Sequence, residues 1–303
     1  KNGAERASAL LNEMFRRLDE GDSRMKPDST TCSAVITALA KSGNPKKAEE
    51  VLHNTISRFV GRNTNFRLNR LIYKDIISAW VNKGLPEAGE DFVDRLWEEY
   101  KDKSPNIRPS HVSYMALHEA WSRSSDPTAA LKAEATLRKL WSRYDNGYKC
   151  MQPNARMYGV VMRAFIWKNP EQAPVKAKQF LHEISLRSVK LETKTYNIAM
   201  MALAPGESAV QDIQELFEQM NSNDMTKPDI FTYNNMISVL IRDPNTIQDA
   251  NNLLNKMRSS NVKSVKPNSK TYDLLINAWK SRGAMDKARE LLRQKKNSLE
   301  TTK

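Results

Sequence analysis

Glycine, proline and cysteine are all scarce in this sequence. The 303 residues include 10 glycines and 13 prolines, which is few for an all-β or loop-rich fold. The two cysteines, Cys32 and Cys150, cannot supply a disulfide framework or a multi-cysteine metal site. No stretch approaches the roughly 18 uncharged residues of a membrane-spanning helix, and a hydrophobic fraction of 40% is too high for disorder throughout. The composition therefore favours a globular, helical chain.

The motifs of common active sites are also missing. The sequence contains no glycine-rich phosphate loop, no Cys-x-x-Cys and no His-Glu-x-x-His. His118 falls beside Trp121 on the apolar face of a predicted helix, which predicts a packing role, and Cys150 has no nearby histidine to activate it as a nucleophile. We therefore expect no enzymatic activity, no metal, no cofactor, no small-molecule substrate and no membrane partner.

Positive charge is in excess. The chain has 48 lysine and arginine residues against 35 aspartate and glutamate residues, a net charge of +13. Such a chain attracts polyanions, including nucleic acids. A solvated helix surface explains any single lysine equally well, so the charge alone does not identify the partner.

One sequence pattern occurs seven times along the chain. Its clearest copy is Pro-Asp-Ile-Phe-Thr-Tyr-Asn-Asn-Met-Ile at 228–237. An aromatic residue or cysteine, hereafter the fixed residue, aligns the copies: Cys32, Tyr73, Tyr114, Tyr158, Tyr196, Tyr233 and Tyr272. The spacings between successive fixed residues are 41, 41, 44, 38, 37 and 39 residues, which is typical of a repeat made of two helices.

The apolar residues predict how these helix pairs pack. Seven residues after the fixed residue, the first helix of each pair carries a bulky side chain: Leu39, Trp80, Trp121, Phe165, Leu203, Leu240 and Trp279. The second helix has apolar residues at helical spacing along one face, and stacking of neighbouring pairs buries faces that one pair cannot bury alone. Trp97, Trp141 and Trp167 lie outside this register, and we interpret them as candidate exposed contacts for a partner.

Together these features resemble the pentatricopeptide repeat family. The resemblance rests on the 228–237 segment and on Lys-Ser-Gly-Asn-Pro-Lys-Lys-Ala at 41–48, and it extends over essentially the whole chain. It implies an all-α fold, a right-handed α-solenoid of about seven antiparallel helix pairs with a basic concave groove. Residues 1–26 are then the second helix of a truncated repeat. Residues 27–303 form one continuous array, with repeats starting near residues 29, 70, 111, 155, 193, 230 and 269.

The repeats are longer than is usual in that family. Extra residues around 59–66, 101–107 and 144–150 predict extended second helices or longer loops. The tetratricopeptide repeat, a related protein-binding helix pair, carries a Trp-x-x-Leu-Gly signature that is not found here, so the resemblance favours the RNA-binding family. Because the sequence begins with Lys1 and a helix that lacks a preceding partner, we expect a segment of a longer protein or a processed form.

In the family that this chain resembles, each repeat reads one RNA base through two side chains. We call them a reader pair: the residue after the fixed residue, and the residue after the proline that ends the repeat. Three pairs match combinations that the family uses. Ser33 with Asn69 matches the combination for adenine, and Asn197 with Asp229 matches the one for uracil. Asn234 with Asn268 matches the one for cytosine, with uracil tolerated. The central pairs match no combination: Lys74 with Ser110, Met115 with Asn154, and Gly159 with Glu192. Asp273 is a first reader whose second reader is missing, because the sequence ends before the next repeat.

The resemblance also implies contacts to the base face and to the backbone. The family places an apolar side chain two residues before the fixed residue, where bases are sandwiched. Leu71, Val112 and Phe231 fit this role, and Arg156 can stack its guanidinium plane. Basic residues nine positions after the fixed residue are expected to contact phosphates: Lys41, Arg123 and Arg242.

The expected function is sequence-selective binding of single-stranded RNA, one base per repeat, in organellar RNA processing, stability or translation. The organelle, a mitochondrion or plastid, follows from the resemblance alone. Two alternatives remain open: a protein-binding scaffold or subunit of an organellar ribonucleoprotein, and the RNA-binding part of a larger enzyme whose catalytic domain lies outside this sequence.

Overall fold

The computed structural model describes residues 2–59, 68–69, 71–102, 107–222 and 226–300. Over these ranges the chain forms fifteen α-helices and no β-strand, which confirms the predicted all-α fold. The helices form two compact units, Lys1–Pro153 and Asn154–Lys303. That residues 27–303 form one continuous domain of repeats therefore stays a prediction.

The first unit is built from a leading helix and three helix pairs. Its helices are α1 (Asn2–Asp19), α2 (Ser29–Lys41), α3 (Pro45–Phe59), α4 (Leu71–Asn82), α5 (Pro86–Tyr100), α6 (His111–Arg123) and α7 (Ala129–Asp145). The first helix of each pair packs against its own second helix, and α2, α4 and α6 pack side by side in succession. The leading helix α1 covers α2. This is the stacking that the sequence register predicts.

The second unit repeats the same arrangement with four pairs. Its helices are α8 (Ala155–Lys168), α9 (Ala173–Leu186), α10 (Thr193–Leu203), α11 (Ala209–Ser222), α12 (Ile230–Leu240), α13 (Ile247–Ser259), α14 (Ser269–Ser281) and α15 (Met285–Glu300). Here α8, α10, α12 and α14 pack side by side, and each contacts the second helix of its own pair. The first helices thus form a continuous layer within the unit.

The predicted core residues are buried in both units. All seven fixed residues are at most 6% exposed, and the bulky residues seven positions later are buried with one exception. Trp80 is half-buried, and its indole Nε1 donates a hydrogen bond to the Glu49 carboxylate on α3. The register read from the sequence therefore places the fixed residue in the core of every repeat, and the bulky residue in six of the seven.

The tight turn after a first helix explains a recurring glycine. Gly43, Gly84 and Gly283 each stand eleven residues after the fixed residue and have φ angles of 83°, 77° and 73°. Only glycine adopts this left-handed conformation without strain, and it ends the helix by letting the chain reverse into the second helix.

The extra residues at 144–150 form part of the first unit's packing. Tyr148 sets its ring edge-on to Trp97, with centroids 4.9 Å apart, and its hydroxyl donates to Asp102 Oδ1 at 2.6 Å. On α7, Arg143 lies 4.4 Å from the Trp97 ring and pairs with Asp94 at 3.1 Å. The other predicted insertions lie largely outside the described residues, at 60–66 and 103–106.

This packing corrects two of the tryptophan interpretations. Trp97 and Trp141 are only 2% and 3% exposed, so the prediction that they are surface contacts is wrong. Side chains from outside the repeat register, Arg143 and Tyr148, cover Trp97, which the repeat pattern alone does not reveal. Trp167 is 60% exposed, as predicted.

Candidate nucleic-acid interface

The residue that follows a repeat proline, which is the second-reader position, is also the N-cap of the next first helix. Asp28, Asn154, Asp229 and Asn268 precede α2, α8, α12 and α14, and each accepts a hydrogen bond from the backbone N–H three residues on, at 2.6, 3.1, 3.0 and 3.1 Å. Such a side chain satisfies a backbone donor that the helix leaves unpaired. Helix capping therefore accounts for these residue types locally, and it holds each side chain at a defined place at the end of its helix.

We call the three pairs that match a family combination the legible reader pairs. The first of them lies at the start of α2 and α4. The hydroxyl of Ser33 donates to the Ser29 carbonyl at 2.7 Å and lies 3.4 Å from the backbone nitrogen of Asn69, which donates to it. The Asn69 side chain is exposed, and its Oδ1 accepts from the Leu71 N–H at 3.0 Å. The two predicted readers are thus neighbours, with the Asn69 amide NH₂ on the surface.

The second legible pair is in direct side-chain contact. Asn197 Nδ2 donates to Asp229 Oδ1 at 3.0 Å, and Asn197 Oδ1 lies 2.7 Å from the hydroxyl of Thr232, which donates to it. The Asp229 N–H in turn donates to Thr232 Oγ1 at 3.0 Å, closing a capping box at the start of α12. This network fixes the orientation of the Asn197 amide before any ligand binds. Only 8% of Asn197 is exposed.

The third legible pair is not brought together by any recorded hydrogen bond. Asn234 is 4% exposed, and its Oδ1 is buried without a hydrogen-bond partner among the described residues. Asn268 is exposed, and its Oδ1 accepts from the N–H and the hydroxyl of Thr271, both at 3.1 Å. The lone first reader Asp273 forms an ion pair with Lys295 on α15 at 2.7 Å.

An exposed apolar side chain follows each of the first two pairs. Leu71 stands two residues after Asn69 and is 54% exposed; Phe231 stands two residues after Asp229 and is 64% exposed. More than half of each of these two side chains is therefore open to a ligand. Of the other predicted stacking residues, Val112 is half-buried and Arg156 is exposed.

The predicted phosphate contacts differ from one another. Lys41 and Arg123 are exposed at the C-terminal ends of α2 and α6. Arg242 is exposed too, but its guanidinium donates to the carbonyl of Ala204, the C-cap residue directly after α10. Arg282, which the sequence did not single out, bonds the Ile241 carbonyl at the end of α12 in the same way, at 2.6 Å. These arginines tie the ends of successive first helices together.

The three central first readers differ in how accessible they are. A Cβ atom at Gly159 would lie 3.2 Å from the Cδ1 of Ile198 on α10, so Ile198 crowds the place where a first reader would stand. Lys74 is exposed and Met115 is half-buried. The structure thus offers no polar reader at Gly159, consistent with the unreadable combination in the sequence.

The remaining reactive groups have structural environments. His118 is fully buried, its Nδ1 lies 2.6 Å from the Tyr114 carbonyl, and burial lowers its pKa to about 4. Burial raises the pKa of the Cys32 thiol to about 11, which keeps it protonated. Within the described residues there is no cluster of three metal-ligating side chains, and no helix long and apolar enough to cross a bilayer.

Comparison with known proteins identifies the repeats. The pentatricopeptide PPR repeat family model matches residues 228–281, and the PPR repeat model matches residues 30–57. These two segments of the chain therefore match pentatricopeptide repeats. No curated protein matches it.

Solved structures of one pentatricopeptide repeat protein are similar at low identity. PPR10 in complex with an 18-nt psaJ RNA element is 17% identical over 96% of this chain, with a TM-score of 0.46. A second structure, of PPR10 from maize, is 18% identical over 95% of this chain, with a TM-score of 0.37. This chain spans 42% and 52% of the length of those two chains.

Proposed function

We propose that this chain binds single-stranded RNA along its first helices and selects bases through its legible reader pairs. One observation carries the proposal. At two places with the same register, a pair of neighbouring polar residues is followed two residues later by an exposed apolar side chain: Ser33 and Asn69 with Leu71, and Asn197 and Asp229 with Phe231.

This combination has the two elements that base recognition needs. Amide, hydroxyl and carboxylate groups supply donors and acceptors for a base edge, and an exposed Leu71 or Phe231 offers an apolar surface to the base face. Stacking of a base on an aromatic side chain is worth about 1–3 kcal/mol. The net charge of +13 adds a sequence-independent attraction for the phosphates.

The hydrogen bonds around Asn197 favour selectivity. Because Thr232 donates to Oδ1 and Asp229 accepts from Nδ2, the amide is held in one orientation. A base that meets a fixed donor pattern is discriminated more sharply than one that meets a freely rotating amide, because a mismatched edge leaves polar groups unpaired. The small exposed fraction of Asn197 restricts contact to the edge of the amide.

The biological setting of the proposal follows from the family. Binding of this kind protects or remodels an RNA without any catalytic group, in a mitochondrion or plastid, through processing, stability or translation. Three legible pairs, one of which tolerates a second base, match about one in 32 to one in 64 random combinations of three bases, too often to single out one target among many competing sites. The selectivity of the whole protein therefore depends on further contacts.

The test compares two classes of substitution. Asn197→Ala and Asn234→Ala should relax the choice of base at one position each, whereas Lys41→Ala should weaken binding to all single-stranded RNAs alike. Affinities are measured by fluorescence anisotropy on RNAs that differ at a single base, at a fixed salt concentration. Equal losses on every RNA from all three variants contradict base reading.

A protein-binding scaffold is the second candidate function. It is favoured by the central repeats, whose reader pairs match no combination for a base and one of which has Gly159 in place of a polar first reader. A partner protein that stays bound to the purified chain after nuclease treatment supports this role. Loss of every bound protein on nuclease treatment contradicts it.

A further inference from the structure

The repeat that begins with α8 lacks a base reader but carries an exposed aromatic side chain further along the same helix face. Gly159, Arg163 and Trp167 are spaced four residues apart, so they lie along one side of α8. Ile198 occupies the space beside Gly159. The first side chains available to a ligand along this face are therefore Arg163 and Trp167.

Trp167 occupies a register position that is basic in three of the other six repeats. It stands nine residues after Tyr158, as Lys41, Arg123 and Arg242 stand after their own fixed residues. The indole is 60% exposed, in a chain where Trp97, Trp121 and Trp141 are each at most 3% exposed. More than half of this large π surface is therefore open to a ligand.

Arg163 gives this aromatic surface a positive charge. Its guanidinium carbon lies 5.7 Å from the centroid of the Trp167 ring, within the range of a cation–π contact. Its Nε is buried and has no hydrogen-bond partner among the described residues. Within the part of the chain that the structure describes, no ion pair neutralises Arg163, so the indole and the charge are presented together.

We propose that Trp167, with Arg163 beside it, is a base-stacking site for one nucleotide of single-stranded RNA that does not discriminate between bases. This inference rests on the proposed function. Charge complementarity selects the occupant, because an exposed indole beside an unneutralised guanidinium suits a planar base attached to a phosphate. Every base has a π face, so the site adds affinity in a repeat where Gly159 cannot add selectivity.

The expected effect of Trp167→Ala is a uniform loss of affinity. A stack of 1–3 kcal/mol corresponds to roughly a 5- to 150-fold weaker affinity, whichever base occupies the site. Trp167→Phe keeps an aromatic ring and should retain most of the affinity. Leu186→Ala, which removes a 71% exposed side chain from the second helix α9, is the matched control and should leave RNA binding unchanged.

A single abasic nucleotide locates the stack. RNAs of one sequence, each with the base removed at one position, are titrated against the wild type and Trp167→Ala by fluorescence anisotropy. The proposal predicts one position, next to the base read by Asn197 and Asp229, at which base removal weakens the wild type but not the variant. At every other position the loss should be the same for both proteins.

Three outcomes overturn the proposal, and they differ in what they say about RNA binding. If the wild type binds RNA and Trp167→Ala binds it equally well, the stacking site is wrong and the proposed function stands. If Trp167→Ala keeps its RNA affinity but loses a co-purified protein, the indole is a protein contact. If the wild type binds no RNA at all, the proposed function fails, and the stacking site fails with it.

Discussion

Replacing Trp121 by alanine tests the predicted core at one side chain. Trp121 is fully buried on α6, seven residues after the fixed residue Tyr114. Removing a buried tryptophan side chain costs about 3–5 kcal/mol, the sum of lost transfer free energy and the cavity left behind. The substitution also removes the contact of the Lys132 ammonium, which lies 4.6 Å from the ring centroid.

One feature of the site moves the expected loss toward the lower end of that range. The Trp121 Nε1 is buried without a hydrogen-bond partner among the described residues, so its removal ends an unfavourable desolvation. Lys132 keeps its ion pairs with Glu87 at 2.9 Å and Asp126 at 2.6 Å. We therefore expect the free energy of unfolding to fall by about 3 kcal/mol.

The assay is urea unfolding followed by far-UV circular dichroism, with two controls. Trp121→Phe removes the unpaired N–H and leaves a smaller cavity, so it should cost clearly less than Trp121→Ala. Trp167→Ala changes the same residue type at a 60% exposed site and should stay within about 0.5 kcal/mol of the wild type. A loss below about 1 kcal/mol for Trp121→Ala would refute the packing account.

Two further predictions concern stability. The buried His118 has a pKa of about 4, against about 6.5 in an unfolded chain, so the unfolded state binds the proton more readily. The free energy of unfolding should therefore fall by about 3 kcal/mol as the pH drops from 6.5 to 4. Urea titrations at several pH values should show that His118→Leu lacks this pH-dependent loss. In thermal unfolding, Thr232→Val should lose about 1–3 kcal/mol more stability than the matched Thr271→Val. Both threonines close a capping box, but only Thr232 also donates to the nearly buried Asn197. Equal losses would mean that the bond to Asn197 contributes nothing.

Local sequence signals predicted the fold well because the same pattern occurs in seven copies, so that a weak match in one copy is offset by the others. The fixed residues, from Cys32 to Tyr272, recur in phase, so their burial does not depend on any one weak copy. Capping by Asp229 and Asn268 is equally local, since the bonded N–H lies three residues away on the same helix. Such features need no knowledge of the distances between helices.

The features that sequence did not predict depend on those distances. Arg242 bonds the Ala204 carbonyl because the end of α10 lies within its reach, and no spacing in the sequence encodes that distance. Burial of Asn234 likewise follows from how closely the neighbouring helices approach. Trp97 is covered by Arg143 and Tyr148, which belong to a longer repeat than the family pattern describes.

The most direct test of base reading is the substitution Asp229→Asn. Asparagine caps a helix about as well as aspartate, so the start of α12 should stay intact and stability should change by less than about 0.5 kcal/mol. The reader pair at Asn197 then has the same composition as Asn234 with Asn268. In the reciprocal variant, Asn268→Asp, the pair at Asn234 takes the composition that corresponds to uracil.

The decisive measurement is the affinity of each variant for four RNAs that differ only at the base opposite the altered pair. The account predicts that Asp229→Asn moves the preference at that one position from uracil to cytosine, with uracil tolerated, and that Asn268→Asp moves its own position toward uracil. An unchanged order of preference would contradict it. So would a uniform gain in affinity for all four RNAs, which would show that Asp229 acts through its negative charge alone.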